Sequence, residues 1–265
     1  MTMKIGRSGI SRPPVIMIFG SHKLGKSTFA AGCPNPIFIQ TESGLEGLDV
    51  DCFPLVNSYD EFNQALDAVE KTTGYKTLVI DSLDWLERLI FRHVCAQHKV
   101  NDIAQIGFAK GYVAAEAIWG EVIDRIAVIN KTKKLIIVLI AHATVQKVQD
   151  PERDDYDCML PDLHKRSVNL LSEYTDILGY CSLKLTTVSK DKGPVKAKTT
   201  GERILYLTPK GGFSAGNRYG LPDSLPLSWS ALATELKKKV RVAPQIAEPE
   251  VKVEPELTEQ TVGVN

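Results

Sequence analysis

The feature that most constrains this chain is a glycine-rich segment at residues 20–27, which fits the pattern G-x-x-x-x-G-K-S. It follows a continuous apolar run at residues 15–19, typical of a parallel strand buried on both faces. A helix is expected directly after it, and this strand–loop–helix context indicates a phosphate-binding loop. The glycines let successive backbone N–H groups point at phosphate oxygens. The predicted nucleotide-binding residues are Gly20, Ser21, His22, Lys23, Leu24, Gly25, Lys26, Ser27 and Thr28.

The loop residues indicate ATP and Mg²⁺ as cofactors. Lys26 is expected to reach the β- and γ-phosphates, and the Ser27 hydroxyl is expected to ligate the metal. A second metal anchor is needed, and Asp81 stands directly after the apolar run at residues 77–80, which is the Walker B pattern. Asp81 has a simpler interpretation as a helix cap, and both roles are compatible because Ser82 is also able to cap.

Two further polar residues follow predicted strands. Because the carboxyl ends of parallel strands meet at one edge of a sheet, we expect Glu42, Asp81 and the phosphate loop to converge. Glu42 is then the candidate for orienting or deprotonating the attacking water, with Glu46 as its competitor and a solvated loop carboxylate as the alternative. His142 is a candidate contact for the γ-phosphate, and a structural histidine is the rival interpretation.

Apolar runs alternate with helical periodicity along the chain. This alternation predicts a right-handed, mainly parallel α/β sheet flanked by helices, with a C-terminal antiparallel strand pair. Residues 145–162 are polar and lack periodicity, so a loop is predicted there. Strands are predicted at residues 15–19, 36–40, 53–56, 77–80, 134–141, 176–188 and 201–208, and helices after residues 28 and 82 and at 59–71, 112–130, 163–172 and 228–240.

Length and composition suit one large domain with a tail. The chain has 265 residues, of which 43% are hydrophobic and 24% charged. We expect a flexible N-terminal arm at residues 1–13, the folded domain at 14–241 and a disordered acidic tail at 242–265. From residue 243 the chain carries five glutamates against one lysine, so the net charge of zero conceals a tail of −4 and a body of +4. A mildly basic body permits nucleic-acid binding without arguing strongly for it.

The five cysteines are odd in number and widely spaced, without a C-x-x-C pair. They are interpreted as reduced thiols of a cytoplasmic protein and as poor zinc ligands. No apolar run reaches the roughly 18 residues that a membrane span needs, so no membrane association is expected.

The residues carry a specific resemblance. Residues 38–42, 79–82 and 140–142 are similar to the glutamate-bearing strand, the Walker B strand and the γ-phosphate sensor of RecA-type recombinases. More closely, residues 14–230 resemble the compact RecA-like P-loop ATPases of bacteriophages implicated in single-strand annealing and recombination. The phosphate loop and the segments 41–45, 80–83 and 217–222 carry that match. The resemblance implies a RecA-like core and, if the chain is phage-encoded, the host cytoplasm.

The resemblance also implies a division of labour. Glu42 would be the catalytic glutamate, beside the catalytic residues Lys26 and His142. Arg218 lies where the recombinases place a cationic finger that acts across the subunit interface, with Lys210 in reserve. Such a charge stabilises the transferring phosphoryl group. A surface or capping arginine is the alternative for Arg218.

Single-stranded DNA is the partner that the resemblance implies, held by two loops at about residues 103–112 and 144–166. Aromatic and basic side chains in the first loop suit base stacking and phosphate attraction, and a helix-to-helix turn explains the first loop equally well. The second loop is rich in aspartate, so its basic ends, a protein partner or the neighbouring subunit are all open possibilities. Lysines 190, 192, 196 and 198 offer another basic surface, although a solvated lysine-rich hairpin is the preferred interpretation of these four residues. The candidate DNA-binding residues are Phe108, Lys110, Tyr112, Lys147, Lys165 and Arg166.

The preferred function is that of an ATPase, stimulated by single-stranded DNA, that supports phage DNA recombination or annealing. It would act as a homo-oligomeric ring or filament with ATP at the subunit interface, and the acidic tail would recruit a protein or compete with DNA. The alternative is a P-loop switch or motor that acts on a protein partner without contacting DNA. A small-molecule phosphotransferase is disfavoured because no arginine-rich cluster is present.

Overall fold

A central ten-stranded sheet organises the chain, which the computed structural model describes at residues 12–149, 154–188 and 196–242. The strands are β1 (Val15–Gly20), β2 (Pro36–Gln40), β3 (Asp51–Cys52), β4 (Thr77–Asp81), β5 (Ile136–Val148), β6 (Tyr156–Pro161), β7 (Ile177–Val188), β8 (Lys196–Tyr206), β9 (Gly216–Asn217) and β10 (Ser224–Pro226). The helices are α1 (Lys26–Ala31), α2 (Tyr59–Lys71), α3 (Leu83–His98), α4 (Lys110–Lys133), α5 (Lys165–Tyr174) and α6 (Trp229–Val242), with a 3-10 helix at Ile103–Gln105.

The strand order across the sheet is β10-β8-β7-β1-β5-β4-β2-β3, with β6 paired to β5 and β9 paired to β7. The pairs from β7 through to β3 are parallel, whereas β8 runs antiparallel to both β7 and β10. The parallel core follows from continuous apolar runs, since β1 and β4 are buried along their whole lengths. The predicted mainly parallel RecA-like sheet with a C-terminal antiparallel pair is therefore confirmed.

The two faces of the sheet are covered by different helices. Helices α2, α3, α4 and α5 pack on one face in a core that includes the fully buried Phe62 and Trp119. Helices α1 and α6 cover the other face, where Phe29 and Leu232 meet the inward side chains of β1, β5 and β8. Because helices cover both faces of the sheet, the strands are held in place, and the loops at their carboxyl ends are held with them.

A buried carboxylate holds the opposite edge of the sheet. Asp176 accepts two hydrogen bonds from the Arg12 guanidinium, at 2.8 and 3.0 Å, and one from the backbone N–H of Val15 at 2.9 Å. Arg218 also pairs with Asp176, at 3.3 Å. The network ties the starts of β1 and β7 to the segment after β9.

Two predictions about local structure were wrong. The predicted loop at residues 145–162 contains strand residues: β5 continues to Val148, seven residues beyond the predicted end at 141, and pairs antiparallel with β6. The third strand lies at Asp51–Cys52, two residues before the predicted 53–56. In both places the segment lies at the margin of the sheet, where solvent on one side weakens the apolar pattern.

The predicted arm and tail lie almost wholly outside the described residues. Within the arm, Arg12 and Pro13 are described, and Arg12 is ion-paired to the domain. Within the tail, only Val242 is described, as the last residue of α6. Lys190 and Lys192 are also outside the described residues. No helix in the described ranges is long and apolar enough to cross a membrane.

Close approach of β1 and β7 makes Gly20→Ala a test of this packing. A Cβ at Gly20 would lie 2.5 Å from the carbonyl oxygen of Cys181, which is backbone and unable to rotate away. We expect a loss of about 2 kcal/mol or more in the free energy of unfolding, since overpacking a rigid core typically costs this much. The measurement is urea unfolding without nucleotide.

The matched control is Gly120→Ala, because a Cβ there meets nothing within 4 Å and Gly120 lies inside α4. We expect this variant to gain about 0.5–1 kcal/mol from helix propensity. Equal stabilities for the two variants would contradict the close packing at Gly20.

Candidate nucleotide-binding site

The glycine-rich segment forms a loop between β1 and α1, at the carboxyl edge of the parallel strands. Lys26 is 5% exposed, and its Nζ donates to the carbonyl oxygens of Gly20 and Ser21, both at 2.9 Å. These bonds curl the loop around the ammonium group. Burial lowers the pKa of Lys26, although the nearby carboxylates oppose the shift. The arrangement suits a lysine that exchanges backbone carbonyls for phosphate oxygens when nucleotide binds.

The oxygen donors expected for Mg²⁺ lie together. Ser27 Oγ donates to Asp81 Oδ2 at 2.6 Å, so the first turn of α1 meets the end of β4. Burial raises the pKa of Asp81, while the Ser27 hydrogen bond and the Lys26 charge oppose that rise. Hydroxyl and carboxylate oxygens fit a hard cation that keeps several waters and phosphate ligands. Accordingly, no group of three or more His, Cys, Asp or Glu side chains in the described ranges is arranged to hold a metal by itself.

Thr41 joins the ends of β2 and β4, and the sequence alone did not single it out. Its Oγ1 donates to the Ser82 carbonyl at 2.6 Å and accepts from the Ser82 N–H at 2.8 Å, while its own N–H donates to the Asp81 carbonyl. Thr41 is 4% exposed. The clamp holds the chain directly before Glu42 against the end of β4, where Asp81 lies. The sequence feature that could have identified Thr41 is a small hydroxyl residue placed between a predicted strand and a glutamate.

His142 lies between two carboxylates. Its Nδ1 is 2.9 Å from Asp84 Oδ2, its backbone N–H donates to Asp84 Oδ1 at 3.1 Å, and its Nε2 is 3.7 Å from Glu42 Oε1. The ring of His22 stacks on it with centroids 3.8 Å apart. With Asp84 ionised, Nδ1 carries the proton and Nε2 faces Glu42. Asp84, in the first turn of α3, is therefore the residue that orients His142, and the sequence analysis missed it.

The two carboxylates beside His142 have different pKa shifts because their surroundings differ. Burial would raise the pKa of Asp84, but the hydrogen bonds and charge of His142 outweigh it and the net shift is downward. Burial raises the pKa of Glu42, and His142 only partly offsets this. The His142 charge lowers the pKa of His22. Asp84 thus stays ionised as an anchor, whereas Glu42 is tuned towards proton transfer.

These residues line a cavity of about 480 Å³ along the phosphate loop. Glu42 and His142 form one side, Glu46 lies on the same loop as Glu42, and Arg203 of β8 closes another side. Arg203 was not predicted from the sequence. The sequence feature that could have identified it is a cation near the end of β8. This strand pairs with β7, and β7 in turn pairs with β1.

Two predicted cations are not brought to this cavity within one chain. Arg218 donates to the carbonyl oxygen of Glu173 and pairs with Asp176, near the start of β7 and thus at the opposite edge of the sheet. Lys210 lies over the ring of Tyr206, with Nζ 5.4 Å from the centroid. A finger role for Arg218 would need a second subunit, and it stays a prediction.

The predicted DNA-binding residues fall on the starts of α4 and α5 and on the hairpin. Phe108 is 97% exposed and has a positive φ of 56°. Tyr112 is half-buried, because its ring stacks on His164 at 4.4 Å. Arg166 pairs with Glu116 at 2.7 Å, so its charge is partly neutralised.

Lys110 and Lys165 are exposed at the first turns of α4 and α5. Lys147 lies on β5, 3.9 Å from Asp155. The predicted second DNA loop is therefore a β-hairpin followed by the start of a helix.

The fold and the phosphate loop define a RecA-like P-loop core. The family model described as AAA domain (AAA_24) matches residues 12–219, and the chain belongs to this family. That match spans every residue of the cavity described above.

A curated relative and a solved structure are also similar. The SPbeta prophage-derived uncharacterized protein YorG of Bacillus subtilis (strain 168) is 27% identical over 140 residues, which is 50% of this chain and 42% of that protein. The chain thus spans less than half the length of this relative. The crystal structure of the RadB recombinase aligns with a TM-score of 0.43 and 12% identity, covering 74% of this chain and 80% of that one. The fold is assigned from strand order and not from this structural similarity.

The contact between Asp84 and His142 predicts that the Asp84→Asn variant hydrolyses ATP more slowly. The amide cannot accept from both the Nδ1–H and the backbone N–H of His142, so the ring loses its fixed orientation. We expect kcat for ATP to fall about a hundredfold, because a small misplacement of a group at the reacting centre typically costs this much in rate. The affinity for ADP should be unchanged. Steady-state hydrolysis and an ADP titration measure the two quantities.

The control for this variant is Asp124→Asn, an exposed carboxylate on α4. It should match wild type in both assays. An Asp84→Asn enzyme that keeps wild-type kcat would contradict the positioning role.

The raised pKa of Glu42 predicts a pH dependence. A general base works only when deprotonated, so the rate should fall as the pH drops through the Glu42 pKa. Because burial raises that pKa, the acid limb of kcat should lie above the range of an ordinary glutamate. Glu42→Gln should abolish turnover, and a Glu42→Gln chain that hydrolyses ATP at the wild-type rate would refute the assignment.

Proposed function

We propose that this chain is an ATP-hydrolysing RecA-like protein that binds single-stranded DNA and supports phage DNA recombination or annealing. The observation that carries the proposal is the convergence of Lys26, the Ser27–Asp81 pair and the Glu42–His142–Asp84 cluster at one edge of the sheet. A lysine, a metal anchor and a base in one cavity are the parts that phosphoryl transfer to water requires.

Each residue has a distinct part in the proposed hydrolysis. Lys26 binds the β- and γ-phosphates. Ser27 and Asp81 would hold Mg²⁺, which would supply positive charge at the phosphates. Glu42 accepts a proton from the attacking water, whose oxygen bonds to the γ-phosphorus while the bond to the ADP oxygen breaks. His142, oriented by Asp84, presents Nε2 on the γ-phosphate side, where donation to a phosphate oxygen requires a proton on Nε2 as well as on Nδ1. The loop residues Gly20, Ser21, His22, Lys23, Leu24, Gly25 and Thr28 complete the phosphate site.

A single surface supports the proposed DNA binding. The stacking of Tyr112 on His164 and the Arg166–Glu116 ion pair hold the starts of α4 and α5 side by side. The exposed ring of Phe108 and the exposed cation Lys110 lie at this α4 end, and Lys165 lies at the α5 end. Aromatic faces beside cations suit a flexible single strand.

A short path joins this surface to the nucleotide cavity. The His142 carbonyl accepts from the N–H of Asp162 at 2.8 Å, and Glu87 accepts from the N–H of His164 at 2.9 Å. Glu87 lies one turn after Asp84 on α3. A change at His142 on γ-phosphate binding would therefore act on residues 162–166 and on the Tyr112 stack.

Assembly and further partners are part of the same proposal. ATP would bind between subunits of a ring or filament, where Arg218 of a neighbouring copy could reach the phosphates if its Asp176 contact opened. The acidic tail would recruit a protein or compete with DNA. The similarity to a prophage-derived protein supports phage ancestry, but it gives no information on activity because that protein is uncharacterized.

The alternative is a P-loop switch that acts on a protein partner without DNA contact. The hairpin favours it, because Asp154, Asp155 and Asp157 lie at or beside its turn and repel phosphate. Under this alternative the Phe108 surface would be a protein contact.

The deciding experiment measures ATP hydrolysis with and without single-stranded DNA, with the oligomeric mass recorded in both states. We expect DNA to raise kcat and binding to weaken with salt at a slope of about −0.7 for each phosphate contacted. Lys26→Ala should lower turnover by about two orders of magnitude or more while the fold is retained, because it removes a charge at the reacting phosphate.

A matched pair of variants localises the DNA surface. Phe108→Ala should lower single-stranded DNA affinity about tenfold, since base stacking on an aromatic is worth about 1–3 kcal/mol. Val128→Ala, which also truncates an exposed apolar side chain on α4, should leave the affinity unchanged. Wild-type ATP hydrolysis without any DNA binding at low salt would refute the DNA proposal and favour the protein-partner alternative.

A further inference from the structure

Arg203 stands over the phosphate loop from the antiparallel side of the sheet. It lies on β8, opposite Leu183 of β7, and β7 in turn pairs with β1. A Cβ built on Gly25 would lie 2.6 Å from the Arg203 Nη1, so the guanidinium rests against the backbone of the loop. Gly25 also has a φ of +94°, a conformation that favours glycine at this position.

The backbone around Arg203 is firmly placed. Its carbonyl accepts from the N–H of Leu227 at 2.9 Å, next to the pairing of β8 with β10. The β7–β8 register shifts between Leu183 and Leu185, immediately beside Arg203. Such irregularities re-aim side chains near functional sites. The inward face of β8 then directs Leu205 into the core and Arg203 toward the loop.

Within the described residues, the Arg203 guanidinium makes no hydrogen bond and no ion pair. Lys184 on the neighbouring strand β7, in contrast, is paired with Glu202 at 2.7 Å. A free planar fork that lines a phosphate-binding cavity is suited to bidentate contact with phosphate oxygens.

We propose that Arg203 binds the phosphates of the nucleotide from within the same chain. This inference rests on the proposed nucleotide site and deepens it. The backbone of a phosphate loop cradles the α- and β-phosphates, so a cation against Gly25 lies where ADP and ATP are alike. Arg203 therefore contributes to the affinity for both nucleotides, in contrast to a finger that acts only on the transferring γ-phosphate.

The test is calorimetric titration of the full chain with Mg·ADP and with Mg·ATPγS. Arg203→Ala should weaken both affinities about tenfold, the usual effect of losing one charge-assisted hydrogen bond at an accessible site. Arg203→Lys should restore part of the loss, because it keeps the charge without the fork. Lys184→Ala, which removes a cation on the adjacent strand outside the cavity, should bind both nucleotides like wild type.

The possible outcomes separate this inference from the proposed function. Thermal unfolding without nucleotide should give all variants the wild-type midpoint, because Arg203 is exposed and unpaired. Wild-type binding of both nucleotides with unchanged binding by Arg203→Ala would overturn the inference alone. A fall in kcat with both affinities unchanged would also overturn it, in favour of a transition-state role. A wild-type chain that binds neither nucleotide would refute the nucleotide site itself.

Discussion

In-register pairing of the parallel strands is the constraint on which the rest of the molecule depends. Gly20 pairs with His142 and Gln40 pairs with Asp81, so β1, β4 and β2 end at one edge, where β5 carries His142. Four segments far apart in the chain thereby deliver a lysine, a carboxylate, a glutamate and a histidine to one cavity. The strands are rigid because they are buried on both faces, and the short loops inherit that rigidity.

The cavity concentrates charge that burial would otherwise make unfavourable. Lys26, Asp81, Asp84 and His142 are all buried, and each has a polar partner within hydrogen-bond distance: backbone carbonyls for Lys26, the Ser27 hydroxyl for Asp81, and each other for Asp84 and His142. A buried charge without such a partner would lose its ionisation instead. Asp84 has a lowered pKa although it is buried, because the hydrogen bonds from His142 outweigh burial, whereas burial raises the pKa of Glu42, whose Oε1 lies 3.7 Å from His142 Nε2.

Helix α3 connects the nucleotide cavity to the surface proposed for DNA. Asp84 in its first turn holds His142, and Glu87 one turn later holds the start of α5 through His164. The same helix begins directly after β4, which carries Asp81. A displacement of α3 would therefore move the surroundings of Asp81, of His142 and of the Tyr112 stack together, as in a protein that couples nucleotide state to partner binding.

The sequence alone determined the fold class and the core of the phosphate site. The G-x-x-x-x-G-K-S pattern after an apolar strand is local chemistry, and the parallel sheet follows from apolar runs that need burial on both faces. Glu42, Asp81 and His142 could be placed together because strand ends share an edge, a rule that needs no side-chain detail. The hairpin at residues 145–162 was missed, since its exposed, polar strands carry little apolar periodicity.

Only the tertiary structure decided what surrounds those residues. Asp84 and Thr41 act through hydrogen bonds to partners 58 and 41 residues away, and no local pattern encodes such contacts. Arg203 reaches the phosphate loop because β8 folds back beside β7, whereas Arg218 is held at the opposite edge by Asp176 within the chain. Which of two arginines lies near the nucleotide depends on strand order and on side-chain direction, and both are fixed only when the sheet has packed.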